Sequence, residues 1–282
     1  CIHAYAYCYA RPTHEYLGFN AGLDFETRIV VKHQAARLLR ERLSQKSWTV
    51  EPIVFSGVTD CYQPAERKFR ITRECLEVAV ECRQPVGLIT KNALIVRDLD
   101  LLQDLARDNL VHVFVSLTTL DRELAGTMEP RTSTPAARLR AIEALSQAKI
   151  PVGVMTAPII PGLNDSELPQ LLAAARERGA LAAGYTLVRL PLTVAPVFEE
   201  WLQRTQPSQA EKILGRIRET RDGALNTTNF RERMKGSGLI AEQIKMMFQL
   251  FRDREGLARS LPEFNCSVFR RPKPDNGQMW LF

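Results

Sequence analysis

The sequence contains no apolar run long enough to cross a membrane. The longest candidates, such as Ile150–Ile160, fall short of the roughly 20 residues that a spanning helix needs. No basic segment leads into an apolar one near Cys1, so the printed chain shows no targeting leader. We therefore expect a cytoplasmic protein without membrane contact. Because the chain opens on Cys1 rather than on Met, we also expect further sequence, including a first strand, upstream of residue 1.

Signs of a disulfide framework are also lacking. The six cysteines occur without the secretory context in which such frameworks form. Cys75 and Cys82 stand two turns apart in a helical pattern, so we expect both in the core on one helix face. Cys1 and Cys8 differ, because they stand among aromatic residues in a dense motif. Those two thiols require a chemical explanation.

Charge is distributed unevenly along the chain. Residues 1–200 contain equal numbers of basic and acidic residues, so the whole formal charge of +6 lies in residues 201–282. A basic appendage on a neutral body is typical of proteins that contact DNA or another nucleic acid. The alternative is a solvated helical face, since acids are interleaved with the bases there.

Short β-rich runs alternate with longer helical patterns. Apolar, β-branched runs typical of buried parallel strands occur at Glu51–Phe55, Val86–Ile89, Val111–Leu117, Val152–Ala157 and Tyr185–Leu190. Apolar residues recur at helical spacing in Thr27–Leu43, Thr72–Cys82, Leu99–Asp108, Ser133–Ala148 and Ser166–Arg178. We expect N-caps from Ser133 or Thr134 before Pro135, and from Asn164 and Asp165 before the helix that follows them.

These strand–helix repeats predict βαβ units and a parallel sheet. The sheet either closes as a barrel or stays open and doubly wound. Five visible strands plus one upstream favour an α/β fold of the partial (βα)6 TIM-barrel type. We expect residues 1–192 to form this barrel and residues 193–282 to form a helical, basic C-terminal extension. In either geometry ligands bind at the carboxyl ends of the strands, so residues that follow strands are the site candidates.

The first twelve residues are Cys-Ile-His-Ala-Tyr-Ala-Tyr-Cys-Tyr-Ala-Arg-Pro. They resemble the radical S-adenosylmethionine (SAM) superfamily, in which three cysteines are spaced C-x3-C-x2-C with an aromatic residue before the third. Tyr9-Ala10-Arg11-Pro12 continues as in a subgroup related to spore photoproduct lyase and often described as DNA repair photolyase-like. Further similar segments follow each later strand, so the resemblance covers essentially the whole chain. In this sequence Cys1 and Cys8 are in register, but the middle position is Tyr5.

The resemblance implies a mechanism. Three thiolates hold three irons of a 4Fe–4S cluster, and the fourth iron chelates SAM. An electron, supplied by a donor such as flavodoxin or ferredoxin, cleaves SAM to a 5′-deoxyadenosyl radical that abstracts hydrogen from the substrate. The expected metal ligands here are Cys1 and Cys8. The substrate is unidentified, and a nucleic-acid lesion is the leading candidate.

Tyr5 conflicts with that mechanism, because a phenol is harder and bulkier than a thiolate and titrates near 10. There are three explanations. Tyr5 is an engineered or erroneous change from cysteine, or the protein is a natural variant that lost the cluster. The third is that another residue, such as Cys61 or His3, takes over as the ligand. The alternative function is therefore a cluster-deficient relative that binds SAM or nucleic acid. An unrelated barrel enzyme for a phosphorylated metabolite is disfavoured, because no Gly-rich loop follows the later strands.

Near the first strands, the resemblance implies contacts with SAM at four positions. Tyr7 precedes the last cysteine and is expected to meet adenine. Gly57 permits close backbone approach, and Thr59 or Asp60 is expected to accept hydrogen bonds from the SAM amino group. The structural alternatives are core packing for Tyr7 and an ordinary strand-to-helix turn for the other three.

Later strands supply the remaining expected contacts. Lys91 and Arg131 are expected to pair with the SAM carboxylate, Ser116 to meet its ribose or methionyl group, and Ile159 to flank adenine. Surface exposure is the alternative for Arg131.

Two residues near the strand ends are candidates for substrate chemistry. Relatives use a cysteine after the second strand as a hydrogen donor. Its approximate counterpart here is Gly57, which makes nearby Cys61 the catalytic candidate. Arg189 either faces substrate or pairs with a neighbouring acid.

Overall fold

A computed structural model describes residues 1–229 and 232–272. Its centre is one sheet of five strands: β1 (Ile53–Phe55), β2 (Val86–Thr90), β3 (Val111–Ser116), β4 (Val152–Ile159) and β5 (Ala182–Leu187). Every neighbouring pair is parallel, as predicted. The sixth strand expected upstream of Cys1 lies outside the printed chain.

The strands follow one another across the sheet in the order β1-β2-β3-β4-β5. A doubly wound sheet requires a reversal of strand order at a switch point, and this sheet has none among the described strands. Consecutive order is the arrangement of a (βα) barrel, so the structure confirms the α/β, barrel-type prediction over the doubly wound alternative.

Helices connect and cover the strands. The first six are α1 (Leu23–Thr27), α2 (Ala35–Ser44), α3 (Glu66–Phe69), α4 (Ile71–Cys82), α5 (Leu99–Ala106) and α6 (Arg122–Met128). The others are α7 (Pro135–Gln147), α8 (Leu168–Glu177), α9 (Val194–Thr205), α10 (Ala210–Glu219) and α11 (Gly238–Arg254). No helix in the described part of the chain is long and apolar enough to cross a membrane.

The prediction of one helix over Thr27–Leu43 is wrong. Helix α1 ends at Thr27, where Arg28 is extended with φ −95° and ψ 92°, and α2 begins only at Ala35. The intervening Ile29, Val30 and Val31 are β-branched, and such side chains lose rotamer freedom in a helix. The local sequence therefore breaks a pattern whose apolar spacing alone is helical.

The core lies between the sheet and its helices. Leu88, Val113 and Val154 point from neighbouring strands into it and are fully buried. Gly153 in β4 is required by close packing, because an added Cβ would lie 2.4 Å from the Phe114 ring. Cys75 and Cys82 are both buried on α4, as predicted.

One predicted N-cap is confirmed and one is wrong. The Thr134 hydroxyl accepts a hydrogen bond from the Ala137 amide at 3.3 Å and caps α7. Asn164 instead turns back into its own loop, where its Oδ1 accepts from the Ile160 amide at 2.7 Å. Asp165 likewise accepts from the Gly162 amide. A 3-10 turn that begins at Asp165 precedes α8, and the N-cap position of α8 is Glu167, so neither Asn164 nor Asp165 caps it.

The helices after residue 193 pack on the barrel in two places. Phe198 and Trp201 of α9 join an apolar cluster that includes Tyr5 and Tyr7 of the opening loop. Phe248 of α11 packs into the main core. The division into residues 1–192 and 193–282 stays a prediction, and these contacts show that the second segment completes the apolar packing of the first.

Candidate active site at the carboxyl edge of the barrel

A cavity of about 250 Å³ lies at the carboxyl edge of the sheet. Its wall combines the opening loop of the chain with residues at the ends of all five strands. Thr59 follows β1, Lys91 follows β2, Ser116 ends β3, Pro158 lies in β4 and Arg189 follows β5. Because parallel strands deliver their carboxyl ends to one edge, these side chains converge although they are distant in sequence.

Most of the predicted site residues line this cavity. They are Cys1, Tyr5, Tyr7, Cys8, Thr59, Asp60, Lys91 and Ser116. The hydroxyls of Thr59 and Ser116 make no hydrogen bond to any residue that the structure describes. Both are therefore available to a bound molecule.

Tyr5 is held at its ring and at its hydroxyl. Its ring stacks on His3 and Tyr7, with centroids 5.4 Å and 5.6 Å away respectively. The hydroxyl oxygen lies 2.9 Å from His3 Nδ1 and 3.3 Å from Asp60 Oδ2. Burial, followed by the charge of Asp60, raises the pKa of Tyr5 well above its ordinary value. Position 5 thus holds a neutral, hydrogen-bonded phenol.

The Asp60 carboxylate joins the ends of β1 and β2. Its Oδ1 accepts from the Tyr62 amide at 2.8 Å and from the Thr90 hydroxyl at 2.7 Å. Its Oδ2 accepts from the Lys91 amide at 2.8 Å and from Tyr5. These acceptor positions are already used by the chain, although Asp60 lines the cavity. Thr59 is accordingly better placed than Asp60 to accept from a bound ammonium group.

Lys91 places an ammonium group inside the cavity wall. Its Nζ donates to the Ala157 carbonyl at 3.1 Å and lies 5.2 Å from the Tyr5 ring centroid. Burial lowers the pKa of Lys91, and the neighbouring Glu129 charge opposes that change. An ammonium has three N–H donors, so Lys91 retains capacity to bind an anionic ligand.

A buried ion pair supports Tyr7 from behind. Glu129 accepts hydrogen bonds from Tyr7, from Arg138, and from the Thr118 hydroxyl at 3.0 Å. Burial alone raises the pKa of Glu129, but the charges of Arg138 and Lys91 outweigh it and the net change is downward. The carboxylate stays ionised and fixes the Tyr7 ring at the cavity wall.

The Glu129–Arg138 pair was not predicted from the sequence. Both residues are 1% exposed. The available signal was Arg138 itself, a charged residue on the buried face of α7, beside Ala141 and Ile142. A buried arginine needs a carboxylate partner, and that requirement points to a nearby acid.

Arg131 and Gly57 lie outside the cavity wall. Arg131 is exposed, donates to the Ile2 carbonyl at 2.9 Å, and lies 3.4 Å from Glu26. The Gly57 carbonyl accepts from the Tyr9 hydroxyl at 3.0 Å. Both residues brace the opening loop from outside rather than face the cavity.

Ile159 and Cys61 also do not belong to that wall. Ile159 is 2% exposed in the core, and its neighbours Ala157 and Pro158 line the cavity instead. The Cys61 amide donates to the Ser56 hydroxyl at 3.0 Å. Burial, followed by the Asp60 charge, raises the pKa of the Cys61 thiol well above its ordinary value.

The residues present do not fit a 4Fe–4S cluster held in the usual way. Cys1 and Cys8 supply two thiols, whereas Tyr5 supplies a neutral phenol. Both ring nitrogens of His3 lie within hydrogen-bond distance of other side chains, Tyr5 and Asn92. Across residues 1–229 and 232–272, no group of three His, Cys, Asp or Glu side chains is arranged to hold a metal ion.

SAM fits the cavity better than the cluster does. It needs a cation for its carboxylate, acceptors for its ammonium group and an aromatic surface for its base. Lys91, the free hydroxyls of Thr59 and Ser116, and the fixed ring of Tyr7 offer these chemistries in one cavity.

Comparison with known proteins places the chain in a family. The family model of the radical SAM superfamily matches residues 1–175. An uncharacterized protein of Mycobacterium tuberculosis is 37% identical over 238 residues, which cover 83% of this chain and 69% of that protein. An uncharacterized protein of Methanocaldococcus jannaschii is 26% identical over 213 residues, or 76% of each chain.

Solved structures of spore photoproduct lyase share the fold. A variant of that enzyme matches with a TM-score of 0.57 and 15% identity, covering 91% of this chain and 72% of the lyase. The lyase complexed with dinucleoside spore photoproduct matches with a TM-score of 0.56 and 15% identity, covering 90% and 72%. At such identity the likeness shows the TIM-type barrel architecture.

Proposed function

The chain belongs to the radical SAM superfamily, and from this premise we propose that its cavity binds S-adenosylmethionine. The observation that carries the proposal is the convergence of Tyr7, Thr59, Lys91 and Ser116 on one cavity at the carboxyl edge of the barrel. The same residues were expected at this site from the sequence alone. An enzyme is the function class that the family supports.

Each residue has a role that its position supports. Lys91 binds the carboxylate of SAM through its remaining N–H donors, and Thr59 accepts from the ammonium group. The Ser116 hydroxyl binds the ribose or the methionyl part. The Tyr7 ring, held by Glu129, packs against adenine. Gly57, Asp60, Arg131 and Ile159 remain proposed SAM residues, and of these four Asp60 lines the cavity in this structure.

We propose that cleavage of SAM to a radical requires a thiolate at position 5, where this chain has Tyr5. The family's chemistry is reductive cleavage of SAM at a 4Fe–4S cluster, with a flavodoxin or ferredoxin as electron donor. Cys1 and Cys8 supply two of the three thiolates required, and the Tyr5 phenol is committed to its contacts with His3 and Asp60. We therefore propose that the printed chain binds SAM without cleaving it.

An anaerobic comparison of three proteins tests this proposal. The printed chain, a Tyr5→Cys variant and a Tyr16→Cys variant are incubated with iron and sulfide. SAM binding is then measured by equilibrium dialysis, the cluster by absorption and paramagnetic resonance, and 5′-deoxyadenosine by chromatography. Tyr16 is 91% exposed, so its variant adds a cysteine away from the loop.

We expect all three proteins to bind SAM and only Tyr5→Cys to form a competent cluster. If the printed chain releases 5′-deoxyadenosine as fast as Tyr5→Cys, the argument about the ligand set is wrong. If none of the three proteins binds SAM, the proposed site is wrong. In the cysteine form, a Cys61→Ala change that leaves the products unaltered would exclude Cys61 as hydrogen donor.

We also propose that residues 201–282 contact a nucleic acid. The support is the basic charge of this segment and the barrel fold shared with a lyase solved in complex with a dinucleoside photoproduct. Deleting the segment would expose the core that Trp201 and Phe248 cover. The test is instead to neutralise exposed Arg204, Lys212 and Lys235 together, which should reduce the salt dependence of DNA binding.

A further inference from the structure

Arg189 lies at the mouth of the cavity, and Tyr9 holds its guanidinium. It follows the end of β5 at Leu187 and is half-buried. Its guanidinium carbon lies over the Tyr9 ring, 4.4 Å from the centroid. Tyr9 is itself anchored, because its hydroxyl donates to the Gly57 carbonyl at 3.0 Å. This contact positions the guanidinium before any ligand arrives.

No carboxylate forms an ion pair with Arg189 in the described part of the chain. Two arginines beside the buried Asp98 and Glu66 do have one. Arg73 pairs with Asp98 at 3.0 Å, and Arg97 pairs with Glu66 at 2.9 Å. Arg189 is therefore a positioned cation without a carboxylate partner among these residues.

A second guanidinium lies behind the first. Arg221 is 2% exposed and donates to the carbonyls of Val188 and Glu232, both at 2.9 Å. Its Nε is buried and has no hydrogen-bond partner. Burial lowers the pKa of Arg221, and the charge of Arg189 lowers it further. The two cations repel each other, and an anion at the cavity mouth would relieve that repulsion.

The N–H groups of the Arg189 guanidinium determine which kind of anion can bind there. A guanidinium stacked on a ring leaves its edge N–H groups for an oxyanion, and this fork matches phosphate and carboxylate oxygens. SAM carries one carboxylate, for which Lys91 already lies within the cavity wall. Val58 and Met155 add apolar surface near the mouth, where a base or other ring can lie.

We propose that Arg189, stacked on Tyr9, binds a phosphate ester carried by the substrate of this cavity. The inference rests on the proposed function and adds the substrate class. The binding group is an arginine on an aromatic ring, so the lack of a Gly-rich loop in the sequence does not argue against it. The phosphate belongs either to a nucleic-acid strand or to a free nucleotide, and both present the same oxygens to the guanidinium.

Competition binding tests this proposal. A fluorescein-labelled single-stranded oligodeoxycytidylate is bound to the protein and followed by fluorescence anisotropy. Unlabelled oligonucleotide, deoxycytidine 5′-monophosphate and deoxycytidine then compete. The proteins are the native chain, Arg189→Ala, Arg189→Lys and Arg107→Ala. Arg107 lies just after α5, before β3 begins, and so belongs to the opposite edge of the sheet; its variant removes the same charge there.

Arg189→Ala should weaken binding of phosphate-bearing ligands by roughly tenfold or more, because it removes charge-assisted hydrogen bonds. For the oligonucleotide, the salt slope should fall by about 0.7. Arg189→Lys should keep the slope and lose part of the affinity, and Arg107→Ala should match the native chain. Deoxycytidine, which lacks phosphate, should not compete. Competition by the monophosphate identifies a free nucleotide, and competition by the oligonucleotide alone identifies a strand.

Several results would overturn the inference. They are unchanged affinity in a folded Arg189→Ala protein, an equal loss in Arg107→Ala, native affinity in Arg189→Lys, or equal competition by deoxycytidine. If Arg189→Ala does not unfold cooperatively on heating, Arg189→Lys decides. A native protein that binds SAM but no phosphate ligand contradicts this inference alone. One that binds phosphate ligands but not SAM contradicts the proposed function alone.

Discussion

The phenol oxygen of Tyr5 lies 3.3 Å from the buried carboxylate of Asp60, so the residue at the expected cysteine position is connected to the ends of two strands. A cysteine at position 5 cannot reproduce that contact, because its side chain is much shorter. The phenol and a cluster ligand are thus alternative occupants of the same place.

The first prediction concerns the strength of this contact. Tyr5→Phe removes one buried hydrogen-bonding hydroxyl and should lower the free energy of unfolding by roughly 1 kcal/mol. Asp60→Ala should cost more, because it leaves the Tyr62 amide, the Thr90 hydroxyl and the Lys91 amide without their acceptor. Urea unfolding of the three proteins measures both values. A larger loss for Tyr5→Phe than for Asp60→Ala would show that Asp60 does not organise this edge.

The second prediction concerns the buried pair of Glu129 and Arg138. Glu129→Ala should lower the free energy of unfolding by about 3–5 kcal/mol, because it leaves a buried guanidinium without its counter-charge. Glu129→Gln should cost less, since an amide still accepts from Tyr7 and Thr118. Urea unfolding measures the changes. The control is Glu200→Ala, which breaks an exposed pair with Arg204 and should have little effect. Equal losses in Glu129→Ala and Glu200→Ala would contradict the argument.

Much of the fold was predictable because buried parallel strands appear in sequence as short apolar runs. All five strands formed where such runs occur, and β5 alone begins clearly early, at Ala182. Its first two residues are small alanines, which pair with Gly153 and Val154. They belong to β5 because they pair with β4, whereas alanine itself has a low propensity for strands. The break after Thr27 was missed because apolar spacing outweighed the β-branched residues there.

The candidate site was predictable only to the level of which loops converge. Strand order places residues after strands at one edge, which is why Lys91 and Ser116 line the cavity. The direction of a side chain depends on tertiary contacts that the sequence does not show. Arg131 therefore turns outward to the Ile2 carbonyl, and Asn164 turns back into its loop instead of capping α8.

The third prediction concerns pH. Burial lowers the pKa of His112 from its ordinary 6.5, and a backbone hydrogen bond with Pro262 opposes this change. The unfolded chain therefore binds a proton more readily below about pH 6.5, so His112 makes stability fall as pH decreases through that window. Well above 6.5, from about pH 7.5 upward, the ring is neutral in both states and contributes no pH dependence. His112→Gln should flatten the change in unfolding free energy between about pH 7.5 and 5.5.

Chemical unfolding at both pH values checks this expectation, with His33→Gln as control, because His33 is an exposed histidine in the turn before α2. The His112 ring stacks on Phe264 with centroids 3.7 Å apart, so His112→Gln should also lower stability at both pH values. Titration of His112 is therefore tested only by the difference in unfolding free energy between the two pH values. An unchanged difference in His112→Gln would show that His112 does not cause the pH dependence.

The fourth prediction compares two glycines. A Cβ at Gly153 would lie 2.4 Å and 2.8 Å from atoms of the Phe114 ring and 3.0 Å from the Ala182 carbonyl. Gly153→Ala must displace that ring or separate β4 from β5, and overpacking of this kind costs about 1–3 kcal/mol. Gly126 is the matched control, because it lies within α6 and a Cβ there meets nothing within 4 Å. Gly126→Ala should stabilise the protein by up to about 1 kcal/mol. Thermal and urea unfolding should therefore give changes of opposite sign, and a stabilised Gly153→Ala protein would mean that Phe114 moves away at no cost.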